Sequence, residues 1–161
     1  MTPAEIRFAA DGMLQSLATW VRMLGYDCLA GRACHGRRLL EQAVADERVF
    51  LTRNTHLAND WPRVLVERAQ VFRVAGEALP DQLREVVGKF SLDPERFLFT
   101  RCLVCNEPLC AAEKSAALPH LPAGVAAREE RFWYCERCGR FFWHGSHVRD
   151  SMARLHRWLE K

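Results

Sequence analysis

"RFAADGMLQSLATWVRMLGYDCLA", residues 7–30, is the stretch whose reading decides the fold. Ile6, Phe8 and Ala10 alternate with polar or small residues, the two-residue period of a strand, and Asp11-Gly12 breaks it. Leu14, Leu17, Val21 and Leu24 then recur at helical spacing, and Gly25 stands where a left-handed C-terminal cap belongs. "YDCLA", residues 26–30, predicts a second strand. The same alternation continues downstream. "RRLLEQAVADE" (37–47) is helical through Leu40, Ala43 and Val44, and "RVFLT" (48–52) is a compact strand. "QVFRV" (70–74) offers another strand, and "LPDQLREVVGKF" (79–90) is an amphipathic helix with Leu83, Val86, Val87 and Phe90 on one side. Strands alternating with helices predict an α/β fold with a mostly parallel sheet covered on both faces.

The pattern stops near "SLDPERFLFTRC", residues 91–102, and cysteines take over from Cys102 onward. The expected organisation is an α/β domain over residues 1–97 and a small cysteine-rich module with a C-terminal helix over 98–161. Val148, Met152, Leu155 and Leu159 give that last helix its apolar stripe. "ALPHLPAG", residues 117–124, reads as an irregular connector because of Pro119, Pro122 and Gly124. There is no internal repeat or low-complexity tract.

A chain of 161 residues, 49% hydrophobic and 27% charged, suits one ordinary domain plus a small appendage. No run of about 18 apolar residues exists to span a bilayer. Glu5 and Arg7 interrupt the start before an apolar segment forms, so neither a signal peptide nor a membrane anchor is expected. Seven cysteines is an odd number, and four fall in two Cys-x-x-Cys pairs. Metal binding in a reducing, cytoplasmic compartment explains them better than disulfides. The formal charge of +3 is uneven: residues 1–100 carry 13 basic and 13 acidic side chains, and residues 101–161 carry 10 and 7. A weakly basic C-terminal part is compatible with nucleic-acid contact and equally with a solvated arginine-rich face.

Cys102, Cys105, Cys135 and Cys138 form two knuckles with 29 residues between them, the arrangement of a closed tetrahedral structural zinc site. "RFWYC" and "GRFFWHG" flank the second knuckle as hairpin strands, so the module reads as a zinc ribbon. Cys28, on a buried strand, reads as a small core residue. Cys34 and Cys110 lie outside the set. His144 and His147, in "WHGSH", are extra ligands, phosphate contacts or plain loop residues.

Asp11 follows the first strand and precedes the first helix, at the edge of an α/β sheet where ligands bind. Two readings compete for it: an N-cap for the helix beginning near Met13, or a ligand for a divalent cation. "FLTRN", residues 50–54, is a strand that ends on Arg53 and Asn54, an amide where a metal site would want a carboxylate. There is no phosphate-cradling glycine loop and no serine or cysteine nucleophile motif.

"RFAADGMLQSLATWVRMLGYD", "LLEQAVADERVFLTRN", "DQLREVV", "TRCLVCNEPL" and "YCERCGRFFWHGSH" resemble, in the same order and over nearly the whole chain, the Mut-seven C-terminal RNase domain family. The resemblance implies a PIN-like nuclease domain joined to a zinc ribbon. It implies an enzyme acting on RNA, with acids gathered around Mg²⁺ or Mn²⁺ at the strand edge. By this resemblance Asp11 matches the first acid and Asp27 another. Asn54 stands where the family reads aspartate, and Gly36 stands where an acid precedes the second helix. Losing a unit charge at about 4 Å removes roughly 4 kcal/mol at an effective dielectric of about 20, so two missing carboxylates weaken metal loading. Asp60, Glu41 or the Asn54 carbonyl are candidates to compensate. Arg32, His35, Arg37 and Arg38 surround the vacant acid position, and with Arg53, His144 and His147 they are candidate phosphate contacts. The expected function is a divergent PIN-like ribonuclease-family protein hydrolysing RNA with a divalent metal, its activity weakened or lost. The alternative is a non-catalytic RNA-binding or ribonucleoprotein-associated zinc-ribbon module.

Overall fold

The computed structural model describes residues 6–31 and 36–160. The chain divides into two compact units, Met1–Asn106 and Glu107–Lys161. In the first, strands and helices alternate: β1 (Phe8–Ala10), α1 (Gln15–Met23), β2 (Cys28–Ala30), α2 (Arg37–Ala45), β3 (Val49–Thr52), two short helices α3 (Leu57–Asp60) and α4 (Arg63–Arg68), β4 (Gln70–Arg73) and α5 (Leu79–Phe90). The sheet order is β2-β1-β3-β4 and every pair is parallel, with Phe8 beside both Cys28 and Val49. The expected α/β class and each expected strand are present. The helices α3 and α4, in "LANDWPRVLVER", were not foreseen.

The burial pattern explains the topology. β1 and β3 are buried at every position, whereas β4 is mostly exposed. Central strands of a parallel sheet are covered on both faces and so carry apolar residues without alternation. On one face Ala9 and Phe50, which are register partners, pack with Leu39, Leu40 and Ala43 of α2 and with Leu57. On the other face Phe8 and Phe72 each meet the Phe90 ring edge-on, at 5.2 and 5.3 Å between centroids. The chain passes from β1 to β2 and then returns across β1 to β3. The strand order therefore reverses between β1 and β3, and in open α/β sheets the carboxyl ends at such a reversal are where ligands bind.

The second unit contains β5 (Cys110–Ala112), α6 (Lys114–Ala117), α7 (Val125–Arg128), β6 (Phe132–Cys135), β7 (Arg140–Trp143) and α8 (Ser146–Leu159). Its sheet is antiparallel in the order β5-β6-β7, with Phe132 opposite Trp143 and Cys135 opposite Arg140. The expected hairpin and closing helix are both found, and α8 buries Leu155. Two details differ from expectation. Residues 117–124 are not irregular throughout, since Pro119 sits in the first turn of a 3₁₀ segment, Leu118–His120, a place where a missing N–H costs nothing. Cys110–Ala112 adds a third strand. Ala117, Val125 and Phe132 make a small core onto which Phe141 and Trp143 pack. No helix among the described residues is long and apolar enough to cross a membrane.

Gly25 closes α1 as the sequence predicts. Its φ is +85°, Tyr26 N–H reaches back to Val21 O at 3.1 Å, and a Cβ at this position would stand 1.9 Å from Phe97 O. Gly25→Ala therefore combines a left-handed penalty with a backbone collision. It should lower the unfolding free energy by more than about 2 kcal/mol in urea melts.

Candidate functional site

Parallel register brings the ends of β1 and β3 to one edge. Ala10 lies beside Leu51, and the next N–H, of Asp11, donates to Leu51 O at 2.9 Å. Thr52, fully buried, ends β3 at this point. Its hydroxyl donates to Asp11 Oδ2 at 2.9 Å and accepts from Asn54 N–H at 3.0 Å. The other Asp11 oxygen accepts from Gly12 N–H at 2.6 Å, at the head of a 3₁₀ turn over Gly12–Leu14. One Asp11 oxygen thus caps the turn while the other takes the Thr52 hydroxyl. Asn54 Oδ1 accepts from His56 N–H at 2.7 Å, closing an Asx turn, and Asn54 Nδ2 donates to Asp60 Oδ2 at 2.8 Å. Asp11, Thr52, Asn54 and Asp60 form one hydrogen-bonded chain. Asp60 therefore joins the edge, whereas Glu41 pairs with Arg37 at 2.7 Å on the exposed start of α2. Thr52 was not singled out from the sequence, and the only signal for it there is a β-branched hydroxyl at a strand end before a polar loop.

Asp27 lies elsewhere. It precedes Cys28, the register partner of Phe8, so it sits at the amino edge of the sheet. Four residues of strand separate that level from Asp11, roughly 13 Å at about 3.3 Å per residue. The structure does not bring Asp27 together with Asp11 and Asn54. Its carboxylate accepts from Arg48 Nη1 at 2.5 Å, Arg48 Nη2 at 3.3 Å and Asn106 Nδ2 at 2.8 Å, and Arg101 Nη2 stands 3.8 Å away. Burial pushes the Asp27 pKa up, but the hydrogen bonds from Arg48 and Asn106 and the nearby guanidinium charges outweigh it, and the net shift is below the usual 3.8. Asn106 also accepts from Cys28 N–H at 2.9 Å. Arg22, itself buried, donates to Cys28 O and to Leu103 O and Val104 O, so the first cysteine knuckle is tied to α1 and β2. Cys28 is fully buried and its thiol is pushed up to about 12 by desolvation, the behaviour of a core residue.

Arg37 and Arg38 are exposed on the first turn of α2, and Arg53 is half-buried between Thr52 and Asn54. Arg32, His35 and Cys34 lie outside the described residues. The His144 ring stacks on Trp133, 4.4 Å between centroids, and desolvation holds its pKa below 6.5. His147 lies in the first turn of α8.

Cys102, Cys105, Cys135 and Cys138 place their sulfurs within 4.8 Å of one another, without either histidine. Their knuckles close alike. Asn106 N–H returns to Cys102 O at 2.9 Å and Gly139 N–H to Cys135 O at 2.8 Å, and both of these residues take positive φ, 75° and 64°. A tetrahedral thiolate shell with about 2.3 Å bonds sets sulfurs roughly 3.8 Å apart, so the group could hold a metal ion such as zinc. Among the described residues it is the one set of three or more Cys, His, Asp or Glu groups gathered closely enough to share an ion.

The Asp27–Arg48 pair sets a pH dependence. A carboxylate whose pKa is depressed on folding contributes stability above its unfolded value of about 3.9 and loses it as pH falls through the lower folded value. Asp27→Asn leaves the buried Arg48 guanidinium with Asp46, 3.1 Å from its Nε, as its carboxylate partner and should cost about 2 kcal/mol at pH 7. The gap from wild type should narrow steadily below pH of about 4 in urea melts across that range. A gap that stays constant with pH would rule the pairing out.

The family model for the Mut7-C RNAse domain matches residues 6–155. No curated protein and no solved structure matches the chain. The match spans both the parallel sheet with the Asp11 edge and the four clustered cysteines, and on that extent the chain belongs to the Mut7-C RNAse domain family, with a ribonuclease-like domain.

Proposed function

We propose that this chain is a divergent PIN-like ribonuclease-family protein that acts on RNA at the Asp11 edge, with metal-dependent phosphodiester hydrolysis weakened because an amide replaces a carboxylate. The observation that carries the reading is the Asn54 amide donating to Asp60, beside Thr52 and Asp11. A divalent ion bound there would polarise a phosphoryl oxygen and acidify a water. Asp11 and Asp60 are the side chains that would hold it, and two carboxylates suit Mg²⁺ or Mn²⁺ only when substrate phosphate completes the shell. Thr52 fixes the Asp11 rotamer by donating its hydroxyl proton. Arg53, Arg37 and Arg38 supply the positive field that draws a phosphate backbone to this edge. The cysteine cluster serves as a structural zinc site in a reducing, cytoplasmic compartment. The absence of a third clustered acid among the described residues favours a second reading, a non-catalytic RNA-binding module.

Asn54→Asp separates the two. Gly36 has φ 57° and ψ −134°, which an aspartate adopts only under strain, so position 54 is where an acid can be restored. The new carboxylate would face Asp60 in place of the present 2.8 Å hydrogen bond. The variant should melt lower than wild type without metal and recover with Mn²⁺, binding the ion at least about tenfold more tightly. Cleavage of single-stranded RNA should rise with Mn²⁺ in Asn54→Asp and vanish when Asp11→Asn is added. If metal affinity improves and no RNA is cut, the non-catalytic reading stands.

Metal analysis of protein purified without added metal should find about one zinc per chain, one ion for four sulfurs. Cys135→Ser should lose it and unfold the β6–β7 hairpin, read as lost dispersion of the aromatic NMR signals of Phe132, Trp133 and Phe141.

A further inference from the structure

The second unit contains a cleft of about 550 Å³, bordered by α7, by β7 and by the start of α8. β7 is the edge strand of its sheet. The size falls within the range of about 300–1,000 Å³ usual for small-molecule sites. Part of the lining is aromatic, from the half-buried rings of Trp143 and of Phe141, on which the His120 ring already stacks at 5.1 Å. Other lining groups are cationic. Arg128 is exposed on α7, and Arg149 is steered by a 3.0 Å bond from its Nη1 to His144 O and by Glu129 Oε1 at 3.6 Å. Glu129 balances Arg149, and Arg128 leaves the lining with positive charge in excess. The head of α8 completes the cleft. No side chain caps this 14-residue helix and no acid stands in its first turn, so the positive end of its dipole is not neutralised locally. Gly145 lets the backbone pass close to Trp143, since a Cβ there would come within 2.8 Å of Trp143 Nε1.

Rings and guanidinium groups lining one cleft match a ligand with a flat π-face at one end and an anion at the other. Single-stranded nucleic-acid sites combine these two elements, stacking for the base and positive charge for the backbone. An apolar ligand would make no use of the positive charge that Arg128 leaves in excess, and an inorganic anion would have no use for the rings. We propose that this cleft binds one nucleotide of single-stranded RNA, its base against Trp143 and its phosphate between Arg128, Arg149 and the first turn of α8. The proposal rests on RNA as the substrate class and gives it a site distinct from the Asp11 edge.

The test is a fluorescence-anisotropy titration of the full zinc-loaded chain into a labelled short single-stranded RNA, with no Mg²⁺ or Mn²⁺ added. Arg128→Ala and Arg149→Ala should each weaken binding by about fivefold or more and reduce the slope of log affinity against log salt by about 0.7. An RNA of the same length made abasic should bind about tenfold more weakly, since its backbone keeps the charge and loses the stacking face. Gly145→Ala, which presses on Trp143, should act in the same direction. Arg128 is exposed, so its variant keeps the fold and the result stays interpretable if Gly145→Ala unfolds. Wild-type affinity and salt slope in both arginine variants would overturn the proposal, as would equal binding of the abasic RNA. No cleavage enters the readout, so failure here leaves the Asp11 edge untouched and an inactive Asp11 edge leaves this cleft untouched.

Discussion

The parallel pairing of β1 with β3 is the constraint on which the rest of the first unit depends. β1 is held between two parallel neighbours, so the chain must cross it to pass from β2 to β3, and it does so through α2 on the Ala9 and Phe50 face, while α5 brings Phe90 to the other. Such a crossover is stable only if both faces of the central strands are apolar, which is why Phe8, Ala9, Phe50 and Leu51 are all fully buried. The same pairing brings Ala10 level with Leu51. Asp11, the first residue beyond β1, and Arg53 and Asn54, the first two beyond β3, then emerge at one edge. No attraction between those side chains is needed to place them there.

What the edge can do follows from the hydrogen-bond inventory around Thr52. A buried hydroxyl has one proton to give, and Thr52 gives it to Asp11 while accepting from Asn54 N–H. That leaves the Asp11 carboxylate fixed in orientation. Asn54 then presents amide protons toward Asp60 where an acid would present lone pairs. A cation at this edge is met by fewer anionic oxygens, and a phosphate by less repulsion. Asp27 shows the opposite use of a carboxylate. Its oxygens are taken by Arg48 and Asn106, so its charge orders the amino edge of the sheet and holds the segment after Cys105 against β2.

In the second unit the buried apolar cluster comprises three residues with a few half-buried partners, a core too thin to stabilise three short strands by burial alone. Cys135 and Cys138 belong to this unit, and a metal ion held by them with Cys102 and Cys105 would supply binding free energy as folding free energy. The left-handed residues that end each knuckle, Asn106 and Gly139, show how similar the two turns are. Gly tolerates that conformation without cost and Asn nearly so, and Asn106 carries the further task of bonding Asp27 and Cys28. One residue type satisfies the turn, the network needs the other, and the two knuckles differ accordingly.

Local chemistry was enough, from the sequence alone, for the order and type of the regular elements. The 3.6-residue stripe of α1, the left-handed stop at Gly25, the uninterrupted apolar run of β3 and the two Cys-x-x-Cys pairs are each written in neighbouring residues. The short helices of "LANDWPRVLVER" and the turns between residues 114 and 128 were not legible, because segments of four to six residues carry too little periodicity to distinguish from loop. At the candidate site Asp11 and Asn54 could be read from their places at strand ends. The grouping could not. Asp60 with Asn54, Thr52 with Asp11, and Asp27 with Arg48 and Asn106 join residues 6 to 79 positions apart. A carboxylate in a sequence carries no indication of which edge of a sheet it will reach. That is decided by strand register and crossover, properties of the whole parallel sheet, and so only the tertiary structure separated Asp27 from Asp11.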